Sequence, residues 1–499
     1  MTTSGFDADV LVVGLGPVGS ALTALLAQRG VSVIAIDKDA QVYPLPRAVH
    51  FDHEIMRLFQ QLGVADQVKQ HARDLPLYEF RAADGQLLMT LPPPRETPSG
   101  WGAGYMFHQP SLDGVLRDLV AGLPAAETRL GMKLERFAQD VDGVTAELSG
   151  PAGAETVRAR YIVGCDGAWS PVREAIGGGL FDYQFDEPWL VVDVKVMPDC
   201  RVPDVNIQVC DPARPTTCVL SGPGRHRWEF MLLPGETPEA MLDDTIVLDL
   251  IRPWDCGPVE IERKAVYRFH GLVANRWRDG RALIAGDAAH QTPPFAGQGM
   301  CSGLRDAANL SWKLAAVLDG AAGERLLDTY QAEREPHVRS AIELAIGMGR
   351  VVCLLDPEAA AMRDAGMLAA KANGAPPLPP LQPPVFAAGC ILPGASAAGA
   401  MFPQPTSGEG ADRQRLDDLL GHDAWLLSRT AVEPAAGVRV LPLEADALAP
   451  FHAALETWFD KLGVEAVLIR PDRYVFGAGD PAALLAAWTQ CLSPLRQAA

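Results

Sequence analysis

A glycine-spaced turn between two apolar runs does most to limit what this chain can fold into. Residues 9–13 read as a short buried strand, and Gly14-Leu15-Gly16-Pro17-Val18-Gly19 follows at once. Residues 18–28 then read as a helix rich in Ala and Leu, and residues 31–36 as a second apolar strand closed by Asp37. This is a βαβ unit of the size that binds dinucleotides. Gly14 permits the tight turn, Gly16 lets a pyrophosphate approach the backbone, and Gly19 lets helix and strand pack closely. The helix N-terminus offers N–H groups and a positive dipole end to the phosphates. Asp37 can accept hydrogen bonds from a ribose diol, and Pro17 and Lys38 join the candidate contacts. NAD and FAD share the ADP half that such a turn holds, so this segment does not choose between them.

Two later segments do choose. Residues 159–163 form another apolar run that delivers Gly164-Cys165-Asp166-Gly167, and residues 282–285 deliver Gly286 and Asp287. An Asp just past a buried strand can receive a sugar-like hydroxyl, such as a ribityl chain presents. Pro293-Pro294-Phe295-Ala296-Gly297-Gln298-Gly299 then opens a helix expected from Met300 to Leu314. A glycine-lined helix start brings N–H donors to an electron-rich ring edge, as at N1/C2=O of a reduced flavin. Three such segments in this order point to one flavin held by distant parts of the chain.

The wider pattern adds Pro46-Arg47-Ala48-Val49, then Phe107-His108-Gln109-Pro110 with Leu112 to Arg117, and Tyr330 with Glu333-Arg334-Glu335-Pro336. With the three flavin segments, these stretches resemble the class A flavoprotein aromatic hydroxylases. The closest resemblance is to the branch of 3-(3-hydroxyphenyl)propionate hydroxylase and its phenol- and resorcinol-hydroxylase-like relatives. It spans roughly residues 8 to 340 and is more specific than any one motif. The resemblance implies an α/β fold with a Rossmann-like FAD-binding domain in two parts, residues 1–180 and 271–370. An inserted β-sheet substrate domain, 181–270, would lie over the flavin as in p-hydroxybenzoate hydroxylase. A proline-rich linker, 371–395, would lead to a thioredoxin-like C-terminal domain, 396–499, with a structural or homodimer-related role.

The resemblance also assigns positions. The first turn would bind the ADP part of FAD, with Asp37 where the family usually carries Glu. Asp166 and Gly167 would serve FAD and passing NAD(P)H, and Gly286 and Asp287 would contact FAD. Arg47 and Gln109 match positions near the phosphates and ribityl chain. Pro294, Gly297, Gly299 and Met300 would border the ring.

Composition limits the alternatives. The chain has 499 residues, too many for one small core, and its formal charge of −19 disfavours nucleic acid and anionic membrane surfaces as partners. No apolar run approaches the roughly 20 residues of a membrane span. Nine scattered cysteines include no Cys-x-x-Cys pair, so neither a metal site nor a thiol-exchange pair is indicated. Reduced thiols in a cytoplasmic protein without a targeting segment are expected. Residues 189–196, 205–209, 217–221 and 227–233 read as strands of the inserted sheet. Residues 424–428, 438–442 and 466–469 read as strands near the C-terminus, with helices at 451–462 and 481–492.

The expected activity is NAD(P)H-consuming hydroxylation of a small phenolic ring, with O2 as co-substrate and a flavin C4a-hydroperoxide as oxygen donor. A phenol becomes a better nucleophile as it loses its proton, so a nearby base helps. His50 and Asp52 are the candidates, because they follow Arg47 closely. His290 and His108 read as packing residues. A flavin-dependent dehydrogenase or oxidase, or a non-catalytic flavin-binding protein, would share the first turn.

Overall fold

The structure, a computed structural model, describes residues 5–375 and 385–493. The proline pairs between Pro376 and Pro384 therefore lie outside the described residues. No helix among those described is long and apolar enough to cross a membrane.

A largely parallel sheet carries the glycine segments. Strand Ala8–Val13 pairs in parallel with Val33–Asp37 on one side and with Gly153–Gly164 on the other. Gly153–Gly164 pairs in turn with Ala282–Ile284. Val13, Gly164 and Ile284 fall opposite one another in register, so the three segments leave the sheet at the same edge. Ligands of open α/β sheets bind at the carboxyl ends of such strands. Helix Pro17–Ala27 is buried along nearly its whole length, because the small residues Gly19, Ser20, Ala21 and Ala24 let it lie flush on the sheet. Helix Gly299–Leu318 packs beside it and begins one residue before the expected Met300.

The second sheet has eight strands around two long antiparallel ones, Leu180–Val196 and Val259–Ala274. The first half of Leu180–Val196 carries Asp182, Asp186 and Glu187, which hide its strand character before Trp189. Tyr78–Arg81 and Leu87–Leu91, from far upstream, also join this sheet, Tyr78 pairing in parallel with Asn206. Alternation separates two faces. Leu190, Val192, Trp228 and Phe230 pack with Val247 and Ile251 of helix Asp244–Ile251. Asp193, Arg227, Glu229 and Thr217 occupy the opposite face.

Near the C-terminus a four-stranded sheet runs Val438–Pro442, Ala424–Ser428, Ala466–Ile469, Val475–Gly479. The first pair is parallel and the other two antiparallel, an order consistent with the thioredoxin-like arrangement. Buried ion pairs dock this unit on the rest. Asp417 accepts from Arg57 at 2.8 Å and from Arg473 at 3.1 Å. Glu333 meets Arg470 at 2.7 Å and Lys313 at 2.8 Å. Burial lowers the Lys313 ammonium to about 8 even with Glu333 beside it.

The expectation of free thiols is corrected at one place. Cys390 and Cys491 are joined as a disulfide, with Cα atoms 6.2 Å apart. Their separation of 101 residues leaves no local spacing to read, since only the fold brings the last helix against residue 390.

Candidate active site

At the first turn, close backbone approach explains Gly14 and Gly19. Gly14 has φ +99°, and a Cβ there would lie 2.4 Å from the Cys165 carbonyl oxygen. A Cβ on Gly19 would lie 1.8 Å from the Gly14 oxygen. A Cβ on Gly16 would meet nothing within 4 Å, so the backbone is open there and helix Pro17–Ala27 starts with no side-chain cap. The Asp37 carboxylate accepts from Leu15 N at 2.8 Å and Arg117 Nη2 at 3.0 Å. Arg117 Nε also donates to the Leu15 carbonyl at 3.1 Å, bracing the turn. That role was missed by sequence reasoning, although Arg117 ends one of the resembling stretches. Lys38 is exposed beside Asp37.

Gln109 is buried, and its Oε1 accepts from Arg47 N at 3.1 Å and Ala48 N at 2.7 Å. It thereby holds the loop whose Arg47 guanidinium is exposed, 5.4 Å from the Tyr43 ring. Asp166 Oδ2 accepts from Val172 N at 3.2 Å, while burial raises its carboxyl above the ordinary value. Gly167 follows with φ +82° and open space at its Cβ position. Asp287 is exposed and has no hydrogen-bond partner among the described residues.

The third segment lies against His50. Gly297 has φ +62°, and its carbonyl is 3.3 Å from His50 Nδ1. Pro294 to Met300 are all half-buried. Helix Gly299–Leu318 has no side-chain cap. Its first internal bond runs from Ser302 N to Gln298 O at 2.9 Å, so the N–H groups before Ser302 have no intrahelical acceptor.

His290 and Asp306 tie this segment down. Asp306 Oδ2 accepts from His290 Nε2 at 2.7 Å and Gly286 N at 3.1 Å, and Oδ1 accepts from Arg334 Nε at 2.9 Å. His108 makes a 2.9 Å contact from Nδ1 to Ser111 Oγ at the start of its helix.

Asp52 has a different task from the one its place beside His50 suggests. It caps helix His53–Leu62, accepting from Glu54 N and Ile55 N at 3.2 Å. Its other oxygen receives Gln298 Nε2 at 3.2 Å and the Arg305 guanidinium. Burial works to raise this carboxyl, but Arg305 outweighs it and holds Asp52 well below the usual range. A carboxylate so committed is a poor proton acceptor. Arg305 also donates to Glu54 Oε2, whose partner oxygen accepts from Tyr474 OH at 2.7 Å. Sequence spacing carries no sign of this cluster.

Buried side-chain atoms without a partner among the described residues include Asp166 Oδ1, Arg117 Nη1, Asp113 Oδ1 and Thr292 Oγ1. Each such atom costs roughly 1–3 kcal/mol unless a ligand meets it. The set suits FAD, with an open glycine turn and helix start for the pyrophosphate, carboxylates for sugar hydroxyls, and a second helix start for the ring.

Comparison with known proteins agrees with that fit. The FAD binding domain family matches residues 7–345, and the HcaD C-terminal domain matches residues 444–494. The chain is 40% identical to a probable NADH-specific resorcinol 4-hydroxylase of Rhodococcus jostii (strain RHA1), over 96% of this chain and 93% of the relative. It is 35% identical to a 3-(3-hydroxy-phenyl)propionate/3-hydroxycinnamic acid hydroxylase of Mycolicibacterium smegmatis, over 94% of this chain and 90% of that one. Among solved structures, aklavinone-11 hydroxylase with FAD and aklavinone superimposes with a TM-score of 0.77 at 25% identity, covering 98% of this chain and 100% of its own. The chain belongs to the class A FAD-dependent aromatic hydroxylases, in the branch of the hydroxyphenylpropionate and resorcinol hydroxylases.

Proposed function

We propose that this enzyme hydroxylates a small phenol lying between the polar face of the second sheet and the Pro294–Ala296 turn, with NADH as reductant. The observation that supports this reading is the shared register of Val13, Gly164 and Ile284, which brings the three glycine-bearing turns to one end of the sheet. Bound FAD supplies the redox chemistry, taking a hydride from the nicotinamide and activating O2.

The chain's own residues do the rest. Gly14, Gly16, Gly19 and Asp37 would hold the ADP end of FAD, Gln109 and Asp287 would serve its middle, and the Gly299 helix start would offer N–H donors to its ring. Phe295 forms an aromatic wall with the sheet, its ring 5.7 Å from Trp189, 6.0 Å from Phe269 and 5.9 Å from Phe185. Such a wall takes a benzene ring and excludes water from the reacting atoms.

His50 accepts the phenol's proton at Nε2. Its Nδ1–H donates to the Gly297 carbonyl, which leaves Nε2 as the lone-pair nitrogen. Burial lowers the His50 pKa, with Asp52 opposing, so the neutral base persists below the ordinary histidine value. His50→Asn should therefore slow hydroxylation about 10²-fold and remove the acid limb of the single-turnover pH profile, which in the parent enzyme falls below pH 6.5. NADH-dependent flavin reduction should stay near the parent rate. An unchanged limb in the variant excludes His50 as the base.

The reading as a whole is tested by anaerobic mixing of enzyme with NADH and a panel of phenols, followed by oxygen. Substrate-stimulated reduction and a hydroxylated product support it. Reduction by an organic donor without nicotinamide would mark a dehydrogenase or oxidase instead.

A further inference from the structure

The turn Arg470-Pro471-Asp472-Arg473-Tyr474 belongs to the C-terminal unit, yet much of its polar surface is spent on helix Gly299–Leu318. Arg305, Asn309 and Trp312 are spaced at i, i+4 and i+7, so they share one face of that helix. Asp472 Oδ2 accepts from Asn309 Nδ2 and from Trp312 Nε1, each at 3.2 Å. The Arg470 guanidinium lies 5.3 Å over the Trp312 ring. Arg305, nearest the helix start, is reached through Glu54. Tyr474 OH donates to Glu54 Oε1 at 2.7 Å, and Glu54 Oε2 accepts from Arg305 Nε.

From Arg305 the bonds continue to the first residues of the helix. Arg305 Nη1 donates to Gln298 Oε1 at 3.0 Å, and Gln298 Nε2 donates to Asp52 Oδ2 at 3.2 Å. Gln298 stands immediately before Gly299, and its carbonyl accepts the first internal bond of the helix. Its place therefore sets the aim of the free N–H groups that follow. Tyr474 and Arg305 are both buried, so water does not compete for these bonds. The turn itself is held in an unfavourable shape, since Arg473 has φ +71°, a region that residues with side chains seldom enter. Phe402 N donates to the Arg473 carbonyl at 2.9 Å, Arg473 Nε donates to Asp417 at 3.1 Å, and the Tyr474 ring stacks 4.2 Å from Phe386. Strain of this kind persists only where the surroundings enforce it, and it concentrates at functional positions.

We propose that the C-terminal unit is a working part of the flavin site, and that Tyr474 is the positioning residue through which it sets the Gly299 helix start against the ring. This rests on the placement of the ring at that helix start. Donors aimed at N1/C2=O matter most where negative charge develops, which is in the reduced flavin. A small misplacement of those N–H groups therefore weakens the hold on reduced flavin and leaves the hold on oxidised FAD nearly intact.

The test measures the midpoint potential of bound FAD, the FAD content and the melting of FAD-free protein. Tyr474→Phe keeps the ring and removes only the hydroxyl. FAD content should match the parent, while reduced flavin is held about tenfold less tightly relative to oxidised, a potential about 30 mV more negative. In a Glu54→Gln background the same substitution should add no further shift, because the hydroxyl acts through Glu54. Leu455→Ala, in the core of the same unit and outside the turn, should lower melting and leave the potential unchanged. Gly299→Ala probes the ring placement, since its Cβ would meet only Thr292, at 3.9 Å, and a shift there reports the cofactor. A parent-like potential in Tyr474→Phe alongside a shifted one in Gly299→Ala would overturn the proposal. So would a shift in Leu455→Ala as large as that in Tyr474→Phe, which would mark general loosening. An unchanged potential in Gly299→Ala would overturn the ring placement, and the proposal with it. If Tyr474→Phe does not fold, Glu54→Gln decides by the same potential measurement.

Discussion

Gly19→Ala is expected to yield a protein that purifies without FAD. The new Cβ would sit 1.8 Å from the Gly14 oxygen, 2.9 Å from the Gly14 carbonyl carbon and 3.1 Å from Cys165 Cβ. The first two are backbone atoms, so no rotamer change relieves the clash. The turn cannot yield either, because Gly14 N donates to the Ile36 carbonyl at 2.8 Å and Cys165 N to the Val13 carbonyl at 2.8 Å. Helix Pro17–Ala27 must therefore lift from the sheet and carry its N-terminus away from the phosphates. That displacement removes the helix N–H groups from the phosphates and so weakens FAD binding, and overpacking adds about 1–3 kcal/mol of instability. Gly16→Ala separates the two effects. Its Cβ meets no protein atom within 4 Å, so the FAD-free protein should melt as the parent does, yet the methyl occupies the cofactor's side of the turn. Bound flavin per chain after gel filtration, together with melting of both FAD-free variants, checks the pair. Stoichiometric FAD in Gly19→Ala would refute the close-approach argument.

The first turn is legible in the sequence because everything that specifies it is local: strand, glycine spacing, helix and Asp37 all fall within residues 9–37. The meeting of Gly14, Asp166 and Asp287 is non-local, and it becomes legible only through the order of three motifs. Asp52 shows where spacing misleads. Its closeness to His50 suggests a base, whereas Arg305, from another helix, and the cap of its own helix commit the carboxylate. The orientation of the second sheet was illegible for a different reason. Alternation along residues 225–231 separates two faces but does not say which one meets the Pro46–Arg47 loop. That answer depends on Arg227 reaching Pro46 and Arg47, far away in sequence. The pairing of Asn206 with Tyr78 and the bond from Tyr474 to Glu54 are equally long-range, and a single sequence holds no periodicity that announces them.

Asp306→Ala should produce the largest loss of stability, about 3–5 kcal/mol. This carboxylate is fully buried and takes charge-assisted bonds from Arg334 and His290 as well as the Gly286 N–H. Its removal strands the Arg334 guanidinium, whose other contacts, the Ser302 carbonyl and His337, carry no negative charge. Gly286 N would also lose its acceptor at the turn that positions Asp287, so weaker FAD binding should accompany the instability. Melting is best read on FAD-free protein, because ligand linkage would otherwise mix the two losses. A drop of about 3–5 °C is expected for a chain of this length. Asp306→Asn keeps an acceptor for Gly286 but no charge for Arg334, and should fall between parent and Ala variant. Breaking the exposed pair of Lys195 and Glu260 should leave melting essentially unchanged, since water screens it. The pH dependence carries the same sign. Burial works to raise the Asp306 carboxyl, but His290 and Arg334 pull it below its ordinary value. Its contribution is thus complete above the unfolded-state pKa and disappears as pH falls through the depressed folded value. The stability gap between parent and Asp306→Ala should therefore shrink on acidification, and a gap independent of pH down to the depressed value would show that packing, not charge, holds the Gly286 turn to its helix.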